Sequence, residues 1–312
     1  MAMSHDFEQL AEKLRNWGRW SLGDQRGTLN LIGPEALLRG ASAVSEGRAF
    51  SLGLDFGKDG PQFGAKRFNP RLFATDLFSP LNPNKPNVMY SDDVIMMPLQ
   101  AATQWDALGH VHYNGTLYGG QAAAEHLSPS GTTHCGIEHL AKPGIVSRGI
   151  LLDIASLYRM PRLDSGYEIS VDDLRKACDL ANVRPESGDV VCIRTGHITR
   201  FTVDGDRIAF NGSQPGVSFR VAEWLHERQV AAVAADNVAV ESLAADIGNQ
   251  DYPLPFHCLA LTEMGMPLGE LWNFEELARD CANDGRYVFL LCAPPLSIPG
   301  AFGSPVNPIA VK

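Results

Sequence analysis

Gln100-Ala101-Ala102-Thr103-Gln104-Trp105-Asp106-Ala107-Leu108-Gly109-His110 places amide, carboxylate and imidazole groups within one run that otherwise reads as buried. An ionised Asp between Trp105 and Leu108 carries a large desolvation cost in apolar surroundings unless a cation or hydrogen-bond donors compensate it. A divalent metal ion is the economical compensation, because Asp106 supplies both negative charge and two oxygen ligands. Capping a turn or pairing a buried Arg would meet the same need. His110 follows four residues on, where a neutral imidazole suits proton transfer near pH 7. Alone, such a His reads as a satisfied core residue; Asp106 beside it favours the chemical reading.

Outward from this run, Ile150-Leu151-Leu152-Asp153-Ile154, Val190-Val191-Cys192-Ile193, Val230 to Val233 and Val288-Phe289-Leu290-Leu291-Cys292 are short apolar runs of the kind expected for buried strands. Helices separate them: Ser170 is placed as an N-cap before a stripe of Leu174, Ala177, Cys178 and Ala181, and Phe274, Leu277, Ala278 and Cys281 repeat that spacing. The alternation predicts an α/β fold with a mixed central sheet. Phe7, Leu10, Ala11, Leu14 and Trp17 predict a first amphipathic helix, and Pro34 predicts the start of a second. Residues 55–90, rich in Pro, Gly, Asn and Asp without a sustained period, predict a long loop. No repeat or linker divides the chain, so residues 1–312 read as one domain with a helical extension over about the first 48.

A formal net charge of −10 disfavours attraction to nucleic acid or an anionic membrane. No apolar run reaches the length of a membrane span, and the first 19 residues lack a secretory pattern, so the expectation is a cytoplasmic protein. The six cysteines are scattered without a C-x-x-C pair and read as reduced core thiols. Asp236-Asn237 closes the apolar run from Val230, at a strand end of the kind where α/β sheets often place site residues, although an Asx turn explains it equally well. Arg194-Thr195-Gly196 lies at a similar strand end and is a candidate for holding an anionic substrate; Trp105, beside Asp106, is a further candidate contact. His112, His126, His134 and His139 are irregularly spaced and fit loop residues as well as ligands.

The run at 100–110 resembles the metal motif His-x-Gly-Thr-His-x-Asp-x-Pro-x-His of the putative cyclase, or kynurenine formamidase-like, family. Thr103, Asp106 and His110 keep their places, while Gln100 and Gln104 stand where the first two histidines would be. Trp17-Gly18-Arg19-Trp20 with Gly27-Thr28-Leu29-Asn30-Leu31, Gly188-Asp189-Val190-Val191 with Arg194-Thr195-Gly196, and Gly303-Ser304-Pro305-Val306-Asn307-Pro308 resemble the family's longer branch, which includes trans-dienelactone hydrolase. The resemblance spans nearly the whole chain and implies a swivelling β/β/α fold.

It also implies roles. Asp106 matches a metal ligand and His110 the general acid/base, while Pro255-Phe256-His257 and Gly269-Glu270-Leu271-Trp272-Asn273 resemble the downstream His and Glu ligands. With two histidines replaced, one ion is expected rather than two, held by Asp106, His257 and Glu270. Gln104 would be an oxygen-donating fourth ligand, or would orient water or substrate. Such a set tolerates manganese as well as zinc. The implied activity is hydrolysis of a small lactone, cyclic amide or formyl amide in a homodimer or homotetramer. Cyclisation or dehydration of a small polyketide-like acid is the rival chemistry, and a small-molecule binder with a degraded metal site is the rival outside enzymology.

Overall fold

The apolar runs form the middle of a nine-stranded mixed sheet in the computed structural model, which describes residues 2–244 and 251–312. Its order is Ala49–Ser51, Ile309–Val311, Val288–Cys292, Val146–Asp153, Val190–Arg194, Ala232–Ala235, Leu268–Glu270, Gln104–Asp106 and Gly303–Pro305. The four strands from Val146–Asp153 to Leu268–Glu270 run parallel, and the remaining neighbours on either side pair antiparallel. Continuous apolar sequence is what such a centre requires, because helices and loops cover both faces. Every residue of Val190–Arg194 and Ala232–Ala235 is buried.

The helices start where their caps allow. Ser170 Oγ accepts the Asp173 amide while the Asp173 carboxylate accepts the Ser170 amide, so Val171–Leu180 begins with two of its orphan donors satisfied. Glu275–Asp284 carries the second predicted stripe. The predicted strand at 150–154 ends one residue early: Asp153 accepts the Ser156 amide and caps a short helical turn that starts at Ile154.

The N-terminal segment helps to position the site. Helices Ala2–Leu14 and Pro34–Ser42 match the predicted pair. Between them, Asn16 donates to the Met264 carbonyl, Trp17 Nε1 to that of Thr262, and Arg15 to the Glu263 carboxylate. These bonds hold the π-helical stretch Cys258–Met264, which continues directly from His257. Gly27 closes this clamp, since at φ +57° a Cβ there would lie 1.8 Å from the Gly265 carbonyl oxygen.

The long loop predicted over 55–90 is partly wrong. Arg71–Pro80 and Met89–Met96 form a two-stranded antiparallel hairpin paired with no other strand among the described residues. Period-2 alternation appears when one face of a strand is buried. Here most residues of both strands are exposed, so the pattern that would have revealed them does not arise. The six cysteines are free, five of them buried. No helix among the described residues is long and apolar enough to cross a membrane.

Candidate active site

The short strand Gln104–Asp106 lies between Leu268–Glu270 and Gly303–Pro305, with Gln104 opposite Glu270, Trp105 opposite Gly269 and Asp106 opposite Gly303. Alternation puts Gln104 and Asp106 on one face and Trp105 on the other. Trp105 sits edge-on to Trp272 with ring centroids 5.0 Å apart and donates Nε1 to the Ala293 carbonyl. A glycine faces it because a Cβ at Gly269 would lie 2.7 Å from the Ala234 Cβ and 3.0 Å from the Trp105 ring.

Asp106, Glu270 and His257 converge. One ligand-capable atom from each lies within 4.8 Å of the others, and all three residues are buried. His257 Nε2 stands 3.2 Å from Glu270 Oε1 and 3.8 Å from Asp106 Oδ2. Its Nδ1 is 2.5 Å from Glu241 Oε1, and the same carboxylate accepts the backbone amides of Phe256 and His257. This holds the ring with Nδ1–H on Glu241 and Nε2 facing the cluster. The Gln104 NH2 group donates to Asp106 Oδ1 at 3.2 Å and Glu270 Oε2 at 2.7 Å, bracing the two carboxylates. His110 Nε2 lies 3.8 Å from Asp106 Oδ1, and its side chain keeps 19 % of its surface exposed.

The electrostatics follow from three buried carboxylates around one imidazole. Burial pushes the Glu270 carboxyl up to about 7, and the neighbouring Asp106 charge adds to the rise. Burial would also raise Asp106, but His110 and His257 hold it below the usual range. Burial opposes protonation of His257, yet Asp106, Glu241 and Glu270 lift it well above its ordinary value. For His110 burial wins over the pull of Asp106 and lowers its value, leaving the ring neutral near pH 7. Asp106 Oδ2 and Gln104 Oε1 are buried without a hydrogen-bond partner. Excess buried negative charge, an orphaned carboxylate oxygen, and a donor set of two carboxylates and one imidazole fit a divalent cation.

The remaining expected residues are not drawn into this cluster. Trp105 is internal, as described. Arg194 is buried and spent on Asp153 and Glu275, and Asp236 accepts the amides of Thr195 and Gly196 and the Thr195 hydroxyl. Both strand-end residues hold the sheet's loops together, so neither is free to take substrate. Gln100 lies against Gly303, the residue opposite Asp106. His126 and His134 bond locally, to Thr133 and to the Tyr118 carbonyl.

Two site residues went unnoticed in the sequence. Glu241 follows the apolar Val238-Ala239-Val240, and a lone carboxylate in apolar sequence is the same signal that exposed Asp106. Arg67, on the segment before the hairpin, acts by its charge on Asp106, His110 and Glu270. It carries no sequence signature, because its place depends on how residues 57–69 fold back; Asn69 ties that segment together through Gln62 and Lys58.

The family model described as putative cyclase matches residues 51–242. No curated protein matches the chain. Among solved structures, one described as a novel cyclase is 38 % identical, with a TM-score of 0.86, over 96 % of this chain and all of its own. Isatin hydrolase A from Ralstonia solanacearum is 18 % identical with a TM-score of 0.62, over 90 % of this chain and 99 % of its own. A protein described as a potential metal-dependent hydrolase with cyclase activity is 16 % identical with a TM-score of 0.53, over 84 % and 96 %. The last two share the fold; the first, with the family match across the strand of Gln104 and Asp106, establishes that this chain belongs to the putative cyclase family.

Proposed function

We propose that this protein is a metal-dependent hydrolase that opens a small lactone, cyclic amide or formyl amide. The observation that carries the reading is the convergence of Asp106, His257 and Glu270 in a buried cluster with the partly exposed His110 at its side. Asp106, His257 and Glu270 would hold one zinc or manganese ion, which when bound polarises a carbonyl and acidifies water. Glu241 fixes the His257 tautomer so that the Nε2 lone pair is presented to the cluster. Gln104 donates its NH2 group to both carboxylates and keeps its Oε1 unpartnered, so it braces them and would offer that oxygen as the fourth ligand.

His110, held neutral by burial, takes the proton from the attacking water at Nε2 and returns it to the departing oxygen or nitrogen. The positive charge of Arg67 acts on Asp106, His110 and Glu270 and would favour a substrate or product that carries a carboxylate. The relatedness to a cyclase and to isatin hydrolase supports a small ring as substrate without selecting one.

The test is a screen of lactones, cyclic imides, isatin and N-formyl aromatic amines against protein loaded separately with manganese and with zinc. Ring opening or deformylation that needs the ion and disappears in His110→Asn is expected. Ring closure or dehydration as the sole activity would replace the hydrolytic reading, and tight small-molecule binding without turnover would replace the enzymatic one.

A further inference from the structure

The ring of His110 is not held by the cluster it faces. Its Nε2 stands 3.8 Å from Asp106 Oδ1, beyond hydrogen-bond reach, and among the described residues the ring has no hydrogen-bond partner. The residue lies just past the end of strand Gln104–Asp106, in a turn closed by its own amide on the Ala107 carbonyl and by the Gly109 amide on the Cys135 carbonyl. A general acid/base has to stay within reach of the proton it moves, so the backbone around His110 sets the ring's place.

Two contacts hold that backbone on its far side, and both come from one element. Thr262 Oγ1 donates to the Val111 carbonyl at 3.2 Å, and the Tyr113 hydroxyl donates to the Glu263 carboxylate. Thr262 and Glu263 belong to the π-helical stretch Cys258–Met264 that runs on from His257. Such stretches are rare and are frequently found at functional sites. This one carries a ligand candidate at one end and grips the chain after His110 at the other.

The grip is itself anchored. Glu263 is 1 % exposed, and Arg15 meets both of its oxygens, Nε on Oε2 at 2.7 Å and Nη2 on Oε1 at 3.3 Å. Burial and the Glu263 carboxylate push the Tyr113 hydroxyl up, so it stays protonated and donates. Its ring is edge-on to Phe7 and to Tyr252, with centroids 5.6 and 6.0 Å away. We propose that Glu263 and Thr262 are positioning residues for His110, fixing its ring relative to His257 through Tyr113 and Val111. The assignment rests on His110 being the general acid/base.

Tyr113→Phe combined with Thr262→Val removes both ties and leaves the aromatic ring between Phe7 and Tyr252. On a substrate found in the screen, kcat should fall about 10- to 100-fold, as a misplacement on the order of 1 Å would cause, with metal content unchanged and KM within about twofold. In the His110→Asn background the same pair should cost nothing further, because no base is left to place; a purely structural role would lower both backgrounds equally. Should the pair fail to fold, Tyr113→Phe alone should show the same pattern at roughly a few-fold. Crystal structures read the point without turnover: the His110 ring should leave its place beside Asp106 while His257 stays on Glu241 and Glu270. A wild type that turns over no substrate would sink the hydrolytic reading, and the position of the ring would still decide the tie. An unmoved ring or equal losses in both backgrounds would overturn the proposal, as would loss of the ion, which would make the tie a support of His257.

Discussion

Replacing Glu241 by Gln tests whether the cluster is positioned from behind. The carboxylate accepts three N–H groups: Phe256 N at 3.0 Å on one oxygen, and His257 N at 2.9 Å and Nδ1 at 2.5 Å on the other. A Gln side chain offers one acceptor oxygen, so its NH2 group must confront either the Phe256 amide or both His257 donors. The loss of one charge-assisted bond is worth about 1.5–3 kcal/mol. Passed to the ligand it orients, this corresponds to a roughly 10- to 100-fold weaker ion. Competition with a chromophoric chelator for zinc and for manganese reads the ratio directly, and urea unfolding of the metal-free protein reads the part that belongs to the fold. One equivalent should still bind at saturation. Affinity within about twofold of wild type, despite lowered stability, would show that Glu241 supports the backbone at 256–257 without positioning His257. Complete loss of binding would make Glu241 itself a ligand.

Asp106→Ala should abolish stoichiometric metal, because it leaves one carboxylate and one imidazole; elemental analysis of the purified variant decides it, and a full equivalent with normal turnover would make Asp106 structural. His110→Asn should cost about a hundred- to ten-thousand-fold in kcat with metal content unchanged, as measured by steady-state kinetics beside metal analysis; loss of the ion would make His110 a ligand. His197 is fully buried, donates Nε2 to the Phe210 carbonyl and is pushed down to about 4 by burial. Its folded value lies below its unfolded one, so its contribution is full above about pH 6.5 and is lost as pH falls towards 4, at about 1.4 kcal/mol per unit and about 3 kcal/mol in all. His197→Gln should remove that part of the acid sensitivity in urea titrations at several pH values. Asp236, raised to about 6 by burial, acts in the opposite sense below that pH, so the difference between variant and wild type is the quantity to read.

The parallel centre of the sheet was legible because its strands are buried on both faces, and that requirement writes itself as unbroken runs such as Val190–Ile193. The helix starts at Ser170 and Pro34 were legible because caps act locally. The strand Gln104–Asp106 was not read from the sequence, since three residues carry no pattern; the cost of burying Asp106 beside Trp105 marked the place only as a site. His257 and Glu270 came from resemblance, since the contacts that bring them to Asp106 join residues more than 150 positions apart. Glu241 and Arg67 were missed for the same reason without a motif to help. Arg194 and Asp236 show the converse error: strand ends attract functional side chains, but these two are consumed by Asp153, Glu275, Thr195 and Gly196.

Anomalous scattering from crystals grown with manganese puts the central claim to the most direct trial. A single full-occupancy peak within bonding distance of Asp106, His257 and Glu270, with His110 left out of the coordination, is the predicted result. A peak held by other residues, or none at any manganese or zinc concentration that supports turnover, would contradict it.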